Sequence, residues 1–176
     1  MQWTQRLKSR ESPQALCAAG SSTMESTGVR RKDASPCRIL LAEDDRALRS
    51  LLTGVLIRSG YEVVAVADGT QLLEALGASL AHERQTADFD LVISDVRMPG
   101  WSGLQVLADL YGVVARPPMV LITAFGDDAF HQHARQLGAL TMDKPLDVDD
   151  LRRVVGDLLL RQRGAARGSH GDGSCA

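Results

Sequence analysis

The residues of this chain best suited to chemistry stand directly after, or at the end of, short apolar segments. They are the acids Glu43, Asp44, Asp45 and Asp95, the hydroxyl residue Thr123, and Lys144 followed by Pro145. Taken singly, such an acid is commonly a helix N-cap and such a lysine a solvated charge. Carboxylates brought close together repel one another, which favours binding of a cation. Because they offer only oxygen ligands, with no His or Cys nearby, the ion that fits best is Mg²⁺.

Asp95 is the candidate nucleophile of such a site. A divalent ion beside it would screen an incoming phosphoryl group, Lys144 would pair with the phosphoryl oxygens, and Thr123 would donate a hydrogen bond to one of them. An aspartate in these surroundings can form an aspartyl phosphate by in-line transfer, in which positioning and charge do most of the work.

The positions of these side chains depend on a regular alternation of strands and helices. Short, nearly all-apolar segments predict five parallel strands buried on both faces: Arg38–Ala42, Glu62–Val66, Leu91–Ser94, Met119–Thr123 and Ala139–Met142. Helical periodicity predicts five helices: Arg46–Ser59, Thr70–Leu80, Leu104–Tyr111, Asp127–Leu137 and Val148–Arg163. Five β–α units indicate a doubly wound α/β fold, in which the carboxyl ends of all strands share one edge.

Two helices carry apolar stripes that identify their buried faces. In the first helix the stripe is Leu48, Leu51, Leu52, Val55 and Leu56, with Asp45 as the N-cap and Gly60 at the end. In the last helix it is Leu151, Val154, Val155, Leu158 and Leu159.

Charge is unevenly distributed along the 176 residues, although the net charge is only −2. Residues 1–37 hold six Lys+Arg against three Asp+Glu, a net charge of +3. Residues 38–160 hold 11 bases against 18 acids, a net charge of −7, and residues 161–176 hold three bases against one acid, a net charge of +2. The near-neutral total argues against a general nucleic-acid-binding protein. Part of the acidity of the body is assigned to the metal site.

Several classes of protein are excluded by composition. No stretch approaches the roughly 18 consecutive apolar residues of a membrane-spanning helix, and the apolar patch at 15–19 is shorter than the core of a secretory signal. The widely spaced cysteines Cys17, Cys37 and Cys175 show no metal-binding spacing and predict reduced thiols, hence a cytoplasmic protein. His131 and His133 form an H-x-H pair and are predicted to be solvent-exposed helix residues.

The ends of the chain are predicted to lie outside the fold. Residues 1–37 are rich in Ser, Thr, Arg and Gly without periodicity, which predicts a disordered extension. Met24 is an alternative start within it. Residues 164–176 are rich in Gly, Ser and Ala and predict a flexible tail.

Five segments together resemble the receiver domain of two-component response regulators. They are ILLAEDDRALR (39–49), SGYEV (59–63), DLVISDVRMPG (90–100), MVLITAF (119–125) and GALTMDKP (138–145). The resemblance covers residues 38–163. It implies a flavodoxin-like sheet of strand order 2-1-3-4-5, which is one of the two common strand orders of doubly wound folds and is known for a member of this family.

The resemblance also implies a role for each site residue. Registration on Arg49 places the acidic pair on Glu43 and Asp44, with Asp44 binding Mg²⁺ directly and Glu43 through water. The resemblance makes Asp95 the phosphoacceptor and a metal ligand, and the backbone carbonyl of Arg97 the third protein ligand of the metal.

It also implies which residues bind the phosphate. Thr123 is the switch hydroxyl, and Ala124 and Lys144 bind phosphate. The bond before Pro145 is expected to be cis.

Partners follow from the same resemblance. A sensor histidine kinase or a histidine phosphotransfer protein would supply the phosphoryl group. Phosphorylation would draw Thr123 toward the phosphate and repack the face of helix 4, strand 5 and helix 5, which is also a possible homodimer surface. A stand-alone receiver without an output domain, acting on an unknown downstream protein, is expected. Nucleic acid and membrane are not expected as partners, and no enzymatic activity is expected beyond the receiver's own phosphorylation and dephosphorylation.

Three features depart from the pattern. Thr141 occupies the position of the switch aromatic and cannot fill that volume, so the coupled rearrangement is expected to be weaker or differently built. The segment between the second helix and third strand, Leu80–Asp88, is longer than usual and is interpreted as structurally neutral. Arg97 and Phe125, at positions that tune dephosphorylation, are bulky and predict a longer-lived phosphoryl group.

Three other functions compete with the receiver. An aspartate-nucleophile phosphohydrolase needs a second Asp two residues after the nucleophile, where this chain has Arg97. A flavin-binding protein of the same topology needs a hydroxyl- and glycine-rich loop after the first strand, where this chain has three acids. A degenerate receiver acting as a scaffold is disfavoured because all five key positions are filled, although Thr141 keeps it open.

Overall fold

The computed structural model describes residues 35–81, 89–113 and 116–168. In these ranges five strands alternate with five helices. The strands are β1 (Arg38–Ala42), β2 (Glu62–Val66), β3 (Leu91–Asp95), β4 (Met119–Thr123) and β5 (Ala139–Asp143). The helices are α1 (Arg46–Arg58), α2 (Gly69–Ala81), α3 (Gly103–Asp109), α4 (Asp128–Gln136) and α5 (Val148–Gly168).

The five strands form one parallel sheet in the order β2-β1-β3-β4-β5. This confirms the predicted doubly wound, flavodoxin-like fold. Each face of the sheet carries its own apolar layer. Leu52 of α1 and Val155 of α5 belong to one core cluster, whereas Leu72 of α2, Val106 of α3 and Ala134 of α4 belong to the other. Helices therefore cover both faces, as parallel sheets require.

Burial differs between the central and the edge strands. Every residue of β3 and β4 is buried, but β2 has no fully buried residue and in β5 only Ala139 is buried. The prediction that all five strands are buried on both faces is wrong for these two. Its physical reason is the strand order, which places β2 and β5 at the edges, where a strand has a neighbour on one side only.

Local capping interactions set the helix ends. Asp45 accepts a hydrogen bond from the backbone N–H of Leu48, which confirms it as the N-cap of α1. Gly60 follows that helix with φ +90°, a left-handed conformation that glycine adopts without strain. Asp127, predicted as the first residue of the fourth helix, is the N-cap of α4 and accepts from the N–H of Phe130.

Three details of the prediction need correction. Leu51 is 51% exposed, because it lies at the margin of the α1 stripe centred on Leu52, Val55 and Leu56. Cys37, which precedes β1, is buried and packs in a core cluster, although the sequence predicted no core residue there. Helix α5 continues to Gly168, five residues beyond the predicted end of that helix at Arg163.

Other predictions fall outside the described residues. They concern the extension at 1–34, most of the loop at 80–88, and the tail at 169–176. Within the described ranges, no helix is both long and apolar enough to cross a membrane.

Candidate functional site

The carboxyl ends of the central strands bring the predicted side chains to one edge of the sheet. Asp95 is the last residue of β3 and Thr123 the last residue of β4. Glu43 follows β1 directly and its N–H donates to the carbonyl of Val66 in β2. Lys144 follows β5, whose last residue Asp143 is in register with Thr123.

Three carboxylates form the centre of this edge. Glu43, Asp44 and Asp95 each offer an oxygen atom, and these atoms lie within 4.8 Å of one another. Glu43 is fully buried and Asp95 is 6% exposed, whereas Asp44 is exposed. The cluster is thus open to solvent on the Asp44 side and closed on the side of Glu43.

Lys144 supplies the positive charge opposite these acids. Its Nζ donates to Glu43 Oε1 and Oε2, at 3.1 and 3.0 Å, and to Asp95 Oδ2 at 3.1 Å. All three donors of the ammonium are therefore used. The bond between Lys144 and Pro145 is cis, which is the expected isomer. The lysine is placed by a further bond, since its backbone N–H donates to the carbonyl of Thr123 at 2.7 Å.

Burial and charge shift the pKa of two members of this cluster. Burial of the carboxyl group, with repulsion from Asp95, raises the pKa of Glu43 although the hydrogen bonds from Lys144 and from the N–H of Asp45 act against it. The pKa of Lys144 is raised as well. Its partial burial acts downward, and the hydrogen bonds and charges of Glu43 and Asp95 outweigh it.

Arg49, used above only to set the register, holds the acidic loop from α1. Its Nη1 donates to the backbone carbonyls of Glu43, at 2.5 Å, and of Asp44, at 3.0 Å. Sequence reasoning missed this role. The only signal was a basic residue one turn into a helix that begins directly after the acids.

The start of α3 packs closely against the backbone of Asp95. A Cβ atom at Gly103, the first residue of α3, would lie 2.5 Å from the carbonyl oxygen of Asp95. Ser94 Oγ donates to that same carbonyl at 2.8 Å. Only a glycine lets α3 start this close to the end of β3, so the residue after the Ser102 N-cap helps to fix Asp95 in place.

Arg97 and Phe125, each two residues after a strand that ends at the site, contact one another. The guanidinium of Arg97 lies 4.3 Å from the centroid of the Phe125 ring, a cation–π geometry. Phe125 remains 76% exposed, so its ring is not part of the core. The N–H of Phe125 donates to Thr123 Oγ1 at 3.1 Å, and Ala124 between them is exposed.

Thr141 has an unexpected partner. Its Oγ1 lies 2.8 Å from Nδ1 of His131 on α4, and Nε2 of the same imidazole lies 3.4 Å from Asp143 Oδ1. The prediction that His131 is solvent-exposed is therefore wrong: its side chain is 23% exposed because it turns onto β5. His133 is exposed, as predicted. Periodicity alone did not distinguish the two, because neither is part of an apolar stripe.

The donor set fits a hard divalent cation. All three side chains are carboxylates, their oxygens converge, and one face is open for the water molecules that Mg²⁺ retains. No His or Cys belongs to this cluster, so a softer metal has no preferred ligand here.

The five-stranded parallel sheet and the acidic cluster at its carboxyl edge define a class of domain, and comparison with known proteins identifies that class. Residues 39–156 match the response regulator receiver domain family. The chain belongs to this family. It is 32% identical over 119 residues to sporulation initiation phosphotransferase F of Bacillus subtilis, covering 67% of this chain and 90% of that protein.

Other relatives extend beyond the matched region. The chain is 39% identical over 141 residues to response regulator protein FleR of Pseudomonas aeruginosa, covering 79% of this chain but 27% of that protein. Among solved structures, the signal receiver domain of a LuxO repressor protein from Vibrio parahaemolyticus superimposes with a TM-score of 0.68 at 24% identity, covering 78% of this chain and 100% of that one. Chemotaxis protein CheY4 of Vibrio cholerae gives 0.59 at 25% identity, covering 70% and 99%.

Proposed function

We propose that this protein is a phosphorylatable receiver of a two-component phosphorelay, with Asp95 as the phosphoacceptor. The observation that carries the proposal is the contact of Lys144 Nζ with both Glu43 and Asp95 at the carboxyl edge of the sheet. This arrangement keeps a cation beside the nucleophile and orders the acidic pair at the same time.

The proposed reaction is transfer of a phosphoryl group from a phosphohistidine. A carboxylate oxygen of Asp95 attacks phosphorus, the new O–P bond forms as the N–P bond breaks, and the electron pair of the broken bond returns to the imidazole nitrogen of the donor. The product is an acyl phosphate. Lys144 would exchange part of its contact with Asp95 for the phosphoryl oxygens. Thr123 would donate its hydroxyl hydrogen to one of them, and the N–H of Ala124 is the nearby backbone donor.

Glu43, Asp44, Asp95 and the backbone carbonyl of Arg97 would hold Mg²⁺. When bound, the ion would neutralise part of the charge on the transferring group. The residues named here act on binding and orientation: Arg49 keeps the acidic loop in place, and the buried Glu43 keeps Lys144 directed toward Asp95.

The proposed partners are a sensor histidine kinase or a histidine phosphotransfer protein in the cytoplasm, and a downstream protein that distinguishes the phosphorylated state. The surface of α4, β5 and α5 supports such contacts, because Leu140 of β5 and Leu160 of α5 are 45% and 68% exposed. The same surface is the proposed site of any homodimer.

A phosphohydrolase is not favoured, because the position of its general acid holds Arg97, whose guanidinium stacks on Phe125. A scaffold without phosphorylation is not favoured either, since the charged groups are in hydrogen-bonding contact.

The test is phosphorylation by acetyl phosphate in the presence of Mg²⁺, followed by intact mass. We expect the protein to gain one phosphoryl group and Asp95→Asn to gain none. Asp157→Asn, an exposed acid on α5, is the matched control and should be labelled like the unmodified protein. Equal labelling of Asp95→Asn, or no labelling of any of the three proteins, would contradict the proposal. Turnover of a phosphomonoester would instead favour the hydrolase.

A further inference from the structure

A side chain of α4 joins this helix to the strand that carries the phosphate-binding lysine. The Nδ1 atom of His131 is 2.8 Å from Thr141 Oγ1, and Nε2 is 3.4 Å from Asp143 Oδ1. Thr141 and Asp143 alternate along β5 and therefore present their side chains on the same side of the strand. One imidazole thus bridges two positions of the edge strand.

The backbone around Thr123 brings this bridge next to the proposed site. Asp143 is in register with Thr123, and the next residue, Lys144, donates its N–H to the Thr123 carbonyl. The strand segment that His131 contacts is therefore the segment that orients the lysine and borders the switch hydroxyl.

Gly126 makes room for the imidazole against Thr123. A Cβ atom at Gly126 would lie 2.6 Å from His131 Nε2 and 2.9 Å from Thr123 Cγ2. The ring and the threonine methyl group therefore both pack against the same glycine. A movement of the Thr123 side chain toward a phosphate on Asp95 would remove the methyl group from this packing and leave space beside the ring.

The imidazole is also accessible from outside. His131 is 23% exposed and Asp143 is 65% exposed, and the ring contacts Phe130 edge-on, with centroids 5.5 Å apart. A change in the position of the ring would therefore alter the surface of α4 and β5 that a partner meets.

We propose that His131 is a positioning residue that couples Thr123 to the α4–β5 surface through its hydrogen bond with Thr141 and its contact with Asp143. This inference rests on the proposed function, because it requires Asp95 to be phosphorylated. The imidazole provides the connection, and Thr141 acts as its hydrogen-bonding anchor. A threonine suits that role because it holds the ring by one short hydrogen bond.

The experiment records the imidazole NMR signals of His131 and His133 in the full chain, before and after phosphorylation with acetyl phosphate and Mg²⁺, with intact mass on the same sample. We expect the His131 signals to shift and the signals of exposed His133 to stay in place. We also expect the backbone amide signals of Phe130 and Leu140 to shift. In Thr141→Val these shifts should be largely lost, whereas Thr141→Ser, which keeps the hydroxyl, should retain them.

The outcomes separate the two proposals. Unchanged His131 signals in protein that carries a phosphoryl group would overturn the inference and leave the proposed function intact. Equal shifts in Thr141→Val and Thr141→Ser would overturn the role of the hydrogen bond and with it the inference. Protein that gains no phosphoryl group would overturn the proposed function and the inference together. His131→Phe, which keeps a ring without nitrogen atoms, is the second variant, and in it the phosphorylation shifts of the Phe130 and Leu140 amide signals should be largely lost, as in Thr141→Val.

Discussion

The ammonium group of Lys144 lies 3.0 and 3.1 Å from the two carboxylate oxygens of Glu43, although 101 positions separate the residues in the chain. Glu43 is fully buried and Lys144 is largely buried. Removing one partner of such a pair leaves the other charge without its counterion in a partly dehydrated place. The relationship therefore links the stability of the domain to its proposed chemistry.

Replacing Lys144 by Met should make the free energy of unfolding less dependent on pH in the alkaline range. The pKa of Lys144 in the folded protein is raised above its ordinary value of 10.5. Its stabilising contribution is thus fully present below pH 10.5 and is lost as pH rises through the folded pKa. Urea unfolding in EDTA should show a steeper loss for the unmodified protein than for Lys144→Met in this window. Arg153→Met, which removes an exposed ion pair with Asp150, should keep the steep slope. Parallel curves for the unmodified protein and Lys144→Met would contradict the expectation.

Replacing Glu43 by Gln should remove a second loss of stability with rising pH, in an acidic window that begins near pH 4.5. Burial raises the pKa of Glu43 above its ordinary value of 4.5, so the folded state holds the proton more tightly than the unfolded state. The unmodified protein should lose stability relative to Glu43→Gln as pH rises from 4.5 through the folded pKa, measured by urea unfolding in EDTA. Because Lys144 lowers the pKa of Glu43, the same comparison in a Lys144→Met background should give a larger effect. A difference that does not change with pH would show that the carboxyl group is not held in this way.

Arg49→Lys should weaken Mg²⁺ binding, measured by calorimetry. Lysine keeps the positive charge but lacks the guanidinium that reaches the carbonyls of Glu43 and Asp44. Loss of a group that orients metal ligands typically costs roughly 10–100-fold in affinity. Arg46→Lys, at the exposed start of the same helix, is the matched control and should bind Mg²⁺ as the unmodified protein does. Equal Mg²⁺ affinities for the two variants would show that Arg49 does not contribute to Mg²⁺ binding.

Truncation of the Arg97–Phe125 pair should shorten the life of the acyl phosphate, because water then reaches the edge of the site more easily. We expect faster decay of the phosphorylated mass in Arg97→Ala and in Phe125→Ala. An exposed cation–π contact is worth about 0.5–1 kcal/mol, so the two substitutions together should fall short of additivity by roughly two- to fivefold in rate. Tyr111→Ala, an exposed aromatic residue after α3, serves as the control. Decay at the same rate in all variants would refute the shielding role.

Gly103→Ala should destabilise the protein by about 1–3 kcal/mol, the usual cost of forcing atoms into a packed core. Its Cβ would lie 2.5 Å from the Asp95 carbonyl oxygen and 2.7 Å from Ser94 Oγ. Gly156→Ala in α5 is the matched control, since nothing lies within 4 Å of its Cβ. It should stabilise the helix by up to about 1 kcal/mol. Thermal or urea unfolding measures both, and a neutral Gly103→Ala would show that α3 is free to move away from β3.

The alternation of apolar segments was sufficient to predict the elements and the edge at which the chemistry lies. Parallel strands must have their carboxyl ends together, so Asp95 and Thr123, each the last residue of its strand, were placed at one edge before any contact was known. The strand order came from resemblance to a family. Hydrophobic periodicity does not predict the strand order, because the pattern of a five-residue strand does not depend on which strand lies beside it.

Tertiary structure decided what each side chain touches. The exposure of Leu51 depends on the centre of a helical stripe, which packing sets, and the half-exposed β2 depends on its place at the sheet edge. His131 and His133 are alike in sequence, yet only His131 meets β5, because the rotation of α4 turns one imidazole toward Thr141. Local sequence determines which elements form and where each strand ends. Long-range packing alone determines which charges and hydrogen bonds become partners, since those contacts join residues far apart in the chain.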